Sequence, residues 1–307
     1  MPRKLMMLTA YDGTRFHGWQ RQTGRRTVQE LLEHSLMRVV RHPINVVGCS
    51  RTDAGVHAHG HVSHFVTEHP LEVRRLRHAI GSRLSEDLEV IALREVNVRF
   101  HATHDAVSKL YRYRIHNARG RPVRRMQHRY VYHFWRHLDV DVMQAASRHF
   151  IGTQDFRAMA TRAADKDNTV RTIHRCDVFR RWDEVVIEIE GSGFLYNQVR
   201  NMVGTLINVG RSFWAPDEVR RILDGRDRTQ AGQKAPARGL ALCWVRYPPE
   251  QLRPDCGAGK ASSPAGVDSD RALPSAKGCE VRPAGGTLQD DGLDDLRDSA
   301  LTEPSPG

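Results

Sequence analysis

What this chain lacks narrows its class before any motif is read. It contains no run of 18 apolar residues, so a membrane-spanning helix of ordinary length is excluded. A signal peptide is not expected either, because Lys4-Leu5-Met6-Met7-Leu8 leads at once into what reads as the first strand. Cysteine is scarce. The five cysteines, two of them beyond residue 250, show no metal-ligand spacing, and their odd number points to free thiols in a reducing cytoplasm. Negative charge is also short. Against 47 Lys and Arg the chain has 36 Asp and Glu, for a net charge of +11 and a pI of about 9.8. Residues 251–307 hold six basic and ten acidic residues, so residues 1–250 carry +15. An excess of that size suggests a polyanionic partner. Arginine dominates the basic residues, and its planar fork suits phosphate contact and stacking on bases.

What is present centres on Gly48-Cys49-Ser50-Arg51-Thr52-Asp53-Ala54-Gly55-Val56-His57-Ala58-His59-Gly60. Ile44 to Val47 reads as a buried strand, and Val62 to Val66 alternates as a second strand. Asp53 therefore falls in a turn punctuated by glycines, with Arg51 two residues before it. A carboxylate presented on a rigid loop is what catalysis requires. The same residues would also make an ordinary exposed Arg51–Asp53 ion pair, worth ~0–1 kcal/mol, so spacing alone leaves the chemistry open.

The whole string settles more. Arg51-Thr52-Asp53-Ala54-Gly55-Val56-His57-Ala58 resembles the signature of the TruA family of tRNA pseudouridine synthases. Further segments resemble the same family in the same order: Phe16 to Gln22, Phe100-His101-Ala102-Thr103, Tyr111-Arg112-Tyr113, Thr169 to Ile173, Gly191 to Leu206 and Lys234 to Leu240. The resemblance covers roughly residues 4–248. One departure is that Thr103 stands where the family pattern has arginine, which removes an expected cation.

The resemblance implies an isomerase, free of cofactor and metal, that converts uridine to pseudouridine at tRNA positions 38 to 40 of the anticodon stem-loop. It implies Asp53 as the catalytic residue and Arg200 as its ion-pair partner. Tyr111 would lie in the active site, Leu240 would wall the target uracil, and Arg51 would hold the flipped nucleotide. It also implies a homodimer in which one tRNA touches both subunits.

Periodicity fills in the rest. Strands are expected at Leu5–Ala10, Leu88–Val96, Ser108–Ile115, Tyr130–Phe134, Ile173–Phe179, Val185–Glu190 and Leu240–Tyr247. Thr27 and Glu30 form a capping-box pattern before a helix carrying Val28, Leu32 and Leu36. Other helices are expected around Val73–Ile80, over Val140–Ile151 with Gly152 as its C-cap, from Phe194 to Ile207, and from Pro216 to Gly225. Residues 153–172 read as loop. Strands outnumber helices and mostly follow one another, so the fold class is α+β with a largely antiparallel sheet. The resemblance adds two similar α/β halves, residues 1–105 and 106–250. Residues 251–307, poor in large apolar side chains, read as a disordered tail.

Two surface readings accompany these. Phe16 and Trp19, interleaved with Arg15 and Arg21, fit either a base-stacking surface or core, and the resemblance favours RNA contact. The segment 119–137 is densely basic and reads as RNA-facing. His57, His59 and His61 alternate as on one strand face and could in principle hold zinc, but no acidic or cysteine ligand clusters with them. Rival activities make distinct demands. A glycoside hydrolase needs a second carboxylate beside Asp53, a zinc hydrolase needs the histidine cluster, and a non-catalytic tRNA-binding protein needs no Asp53 at all.

Overall fold

A computed structural model describes residues 2–120, 128–161, 168–254 and 279–281. In chain order it forms β1 (Arg3–Tyr11), α1 (Val28–Val40), β2 (Val47–Gly48), β3 (His57–Thr67), α2 (Val73–Gly81), β4 (Leu88–Glu95), β5 (Ser108–His116) and β6 (Tyr132–His133). There follow α3 (Val140–Ser147), β7 (Gly152–Asp155), β8 (Val170–Arg181), β9 (Glu184–Gly191), α4 (Gln198–Gly210), α5 (Glu218–Gly225), β10 (Leu240–Tyr247) and β11 (Cys279–Val281). The strands make one sheet in the order β4-β1-β3-β10-β5-β9-β8-β7, with β2, β6 and β11 paired at its margins. Every pairing is antiparallel except β10 with β3 and β5 with β6. This is the mixed α+β class with a largely antiparallel sheet that the strand pattern implies.

The expected division near residue 105 falls between β4 and β5, and no gap in the sheet marks it. β10, the last long strand, joins the two sides: Ala241 and Leu242 pair with His57 and Ala58 of β3, and Leu240 to Arg246 pair with β5. β10 thus reaches the strand that follows the Asp53 loop. Of the expected tail, residues 251–252 finish a short 3-10 turn and 279–281 add β11 to β10. The remainder, 255–278 and 282–307, and residues 121–127 of the basic segment lie outside the described residues.

Sequence and structure part in several places, each for a local reason. The capping box does not form: Thr27 Oγ1 is buried without a partner, and the amides of Val28 and Gln29 donate to the loop carbonyls of Gly18 and Trp19. The helix expected to run to Ile151 stops at Ser147, whose hydroxyl turns to the carbonyls of Gln144 and Cys176. A 3-10 turn follows it, and Gly152, at φ +107°, opens β7 rather than capping a helix, so part of the expected 153–172 loop is strand. α4 begins only at Gln198, after Asn197 in the left-handed region. Among the described residues no helix is long and apolar enough to cross a membrane.

Candidate active site

The loop from Cys49 to Val56 joins β2 to β3, and its backbone is held by side chains from outside it. Three successive carbonyls each accept one such bond. Gly48 accepts from Thr103 Oγ1 at 2.7 Å, Cys49 from Lys109 Nζ at 2.7 Å and Ser50 from His61 Nε2 at 2.9 Å. Next, the Thr52 and Tyr11 hydroxyls share a hydrogen bond at 2.8 Å, and the Thr52 carbonyl accepts from the Trp19 amide at 3.1 Å. A turn then closes on Asp53, whose carbonyl accepts from the Val56 amide, with Gly55 supplying φ +78°. The residue that departs from the family pattern therefore still does a job: Thr103 loses the cation but holds the first carbonyl of this series.

Opposite the loop stands Arg200, in the first turn of α4. Its Nη1 donates to Asp53 Oδ2 at 2.9 Å, with 11% of the arginine side chain and 17% of the aspartate side chain exposed. The same guanidinium is aimed by two further bonds, Nε to the Ala235 carbonyl at 2.7 Å and Nη1 to Asn197 Oδ1 at 3.2 Å. Ala235 can come this close because Gly204 has no side chain: a Cβ there would meet the Gln233 carbonyl oxygen at 1.7 Å. Arg200 and Gly204, one turn apart on α4, mark the track along which the chain at 233–235 lies against the helix.

These groups border a cleft of about 1270 Å³. Asp53, Tyr111, Arg200 and Leu240 all line it, as does Arg51. Arg51 is exposed on the loop and does not pair with Asp53, whose partner is Arg200. Tyr111 packs edge-on against Phe194 at 5.2 Å between ring centres, and its hydroxyl lies 3.3 Å from Ser50 Oγ. Leu240 is buried at the start of β10. Among the described residues that line the cleft, Asp53 is the sole carboxylate, so the second acid of a glycoside hydrolase has no candidate there.

Burial sets the electrostatics. It holds the Tyr111 hydroxyl protonated far above the ordinary tyrosine range. It also pulls the Lys109 ammonium down, which the nearby Cys49 opposes. For Cys49 itself burial would push the thiol up, but His61 and Lys109 outweigh it and bring the thiol down to about 6. Lys109 and Cys49, both buried, thus lie close together at the start of the aspartate loop.

The aromatic segment differs from its favoured reading. Phe16 and Trp19 are core, not an exposed stacking platform. Trp19 stacks on His61 at 3.7 Å and lies against Gly48, so it supports the loop from below. The histidines do not converge. A register shift where β3 meets β1 breaks their alternation. His57 accepts from the Gly13 amide and donates to the Arg129 carbonyl, His61 bonds to Ser50, and His59 is exposed. Sequence reasoning missed Lys109, Ser50 and Phe194 as site residues. Lys109 was within reach, because it shares the parity of Tyr111 on β5 and so had to face the cleft.

Comparison with known proteins gives a consistent result. A family model described as tRNA pseudouridine synthase matches residues 7–105 and 146–248. The chain is 40% identical over 246 residues to tRNA pseudouridine synthase A of Exiguobacterium sibiricum, covering 80% of this chain and 97% of that protein. Proteins of the same name from Brevibacillus brevis and Acetivibrio thermocellus are 41% and 39% identical over 245 residues, each match covering 80% of this chain and 100% of the relative.

Proposed function

The chain belongs to the tRNA pseudouridine synthase family, and from that premise we propose that it isomerises uridine to pseudouridine at positions 38 to 40 of the tRNA anticodon stem-loop, with Asp53 as the catalytic group. The observation that carries this reading is the Asp53–Arg200 pair at 2.9 Å within a cleft that also holds Tyr111 and Leu240. The reaction breaks the bond from C1′ to N1, turns the uracil, and forms a bond from C1′ to C5; C5 gives up its proton and N1 gains one. Nothing is oxidised or reduced, so residues of this chain can carry it without a redox partner.

Each residue has a physical reason for its role. The target base is hidden in the stack and must be flipped out, at a cost of a few kcal/mol. Arg51, exposed on the rim beside Asp53, is placed to hold the flipped backbone by its phosphate. The Asp53 carboxyl group is the one presented to the cleft, and Arg200 fixes its position through the 2.9 Å contact. Tyr111 offers a ring face to the uracil. Its hydroxyl stays protonated, so it serves as a hydrogen-bond donor toward the base or Asp53. Leu240 completes the apolar wall. The same reading takes the protein as a cytoplasmic homodimer, needing neither metal nor cofactor, in which one tRNA contacts both subunits.

The direct test is incubation of the purified protein with unmodified tRNA, followed by mapping of pseudouridine along the strand. New pseudouridine confined to positions 38 to 40 is the expected result. None at those positions, or its formation elsewhere, contradicts the assignment.

A further inference from the structure

Away from the cleft, the outer face of α1 gathers cations that the proposed chemistry does not use. His34, Arg38 and Arg41 recur at spacings of four and three residues and so share one helix face. Together with Met37 and with Arg83, just beyond α2, they line a concavity of about 630 Å³ in which no lining residue is acidic. All five are exposed. Among the described residues no side-chain hydrogen bond or ion pair engages His34, Arg38 or Arg41, while Arg83 Nη1 reaches only the Ala79 carbonyl and Ser82 Oγ.

Arg41 adds a second observation. It closes α1 at φ +63°, the left-handed position that glycine fills without steric cost. Arg226 has the same geometry after α5, but there the side chain meets Asp155 at 3.4 Å. Arg41 has no such return for its backbone strain.

The same helix links this face to the cleft. Gln29, in the first turn of α1, lines the cleft wall, and at 1.5 Å per residue His34, Arg38 and Arg41 stand about 8, 14 and 18 Å further along the axis. A nucleotide held in the cleft is continuous with its own stem, and a stem of ordinary length spans more than those distances. We propose that His34, Arg38, Arg41 and Arg83 form a second phosphate-binding site, distinct from the catalytic cleft, that grips the backbone of the tRNA whose target base the cleft receives. This rests on the tRNA reading above.

The test compares the wild-type protein with Arg41→Gly and with the triple variant Arg38→Gln/Arg41→Gly/Arg83→Gln, in tRNA binding across a salt series, thermal unfolding and single-turnover isomerisation. Glutamine is a good helix former and glycine relieves the left-handed strain, so the fold is spared. The triple variant should bind tRNA about tenfold more weakly at physiological salt, and its salt dependence should be shallower by about one contact per lost phosphate. Turnover at saturating tRNA should be unchanged. Arg41→Gly alone should raise Tm while weakening binding, a split that a purely structural role would not produce. Unchanged tRNA affinity, or weaker binding with an unaltered salt slope, overturns the site. Wild-type protein that binds tRNA but makes no pseudouridine would defeat the functional reading and leave this binding comparison decisive.

Discussion

Arg200 and Lys109 at the floor of the cleft carry the same charge as Arg38 and Arg41 on the outer face of α1, in opposite settings. The inner pair are buried or nearly so and have defined acceptors: Asp53, Ala235 and Asn197 for Arg200, and the Cys49 carbonyl for Lys109. The outer pair are exposed, and no protein group engages their side chains among the described residues. A buried cation without acceptors is costly, so every inner one is tied to the groups it positions. An exposed cation costs little and stays available to an external anion. Net charge alone would have pooled the two, whereas their surroundings separate positioning from recognition.

The predictions that follow try that separation from the largest effect to the smallest. Replacing Arg200 with Met leaves Asp53 without its counter-charge in a partly buried site. We expect about a 10³-fold loss of single-turnover rate and about 3 kcal/mol of stability lost in denaturant unfolding. Arg200→Lys should recover little, since one ammonium cannot reproduce the fork that reaches Asp53, Asn197 and Ala235 together. Lys109→Met keeps the apolar stem but strips the Cys49 carbonyl of its donor, at a cost of about 1–3 kcal/mol. Turnover should drop about tenfold or more with KM little changed, because the loop and not the RNA surface is disturbed. A rise in KM alone would move Lys109 into the recognition class.

Gly204→Ala tests the same inner set at one remove. The added Cβ must displace the chain at Gln233, and with it the Ala235 carbonyl that aims Arg200. A loss of about 1–3 kcal/mol is expected, together with a reduced rate. An unchanged rate would mean that Arg200 does not need that anchor. The effect most remote from turnover concerns His64 of β3. Burial, with Lys4 and His101 nearby, lowers its imidazole to about 4, and its neutral Nδ1 accepts from the Ala102 amide at 3.1 Å. Between about pH 4 and 6.5 the unfolded state binds the extra proton, so stability rises with pH across that window. The contribution is fully present above about 6.5 and is lost as pH falls through 4. His64→Gln should flatten that part of the stability profile, measured by unfolding at successive pH values; an unaltered slope would contradict it.

Much of this was legible before any coordinates, and the pattern of success has a physical cause. Asp53, Tyr111, Arg200 and Leu240 were named from motifs, and they line one cleft although Asp53 and Leu240 stand 187 residues apart in the chain. β5, where apolar and polar residues alternate, was read to within a residue because the period-2 pattern reports which face is buried, and β10 stood out as a short apolar run. The errors fall where tertiary partners replace local ones. Thr27 looked like a cap, yet its buried hydroxyl finds no partner and the helix start is tied to loop carbonyls through Val28 and Gln29. Ser147 ended a helix that apolar spacing alone would have continued. Trp19 beside arginines suited either a stacking platform or core, and only its neighbour His61 decided the matter. The bonds that hold the aspartate loop were hidden for the same reason: although strand parity points Lys109 into the cleft, Thr103, Lys109 and His61 come from three separate segments and act on backbone carbonyls, which carry no sequence signature.

The central claim is that Asp53 performs chemistry and does not merely help to bind RNA. Release of tritium from C5-labelled tRNA, measured beside tRNA affinity for the wild-type protein and Asp53→Asn, tests it most directly. The account predicts release at background for the variant, with affinity within about threefold of wild type. Release at the wild-type rate from Asp53→Asn would contradict it.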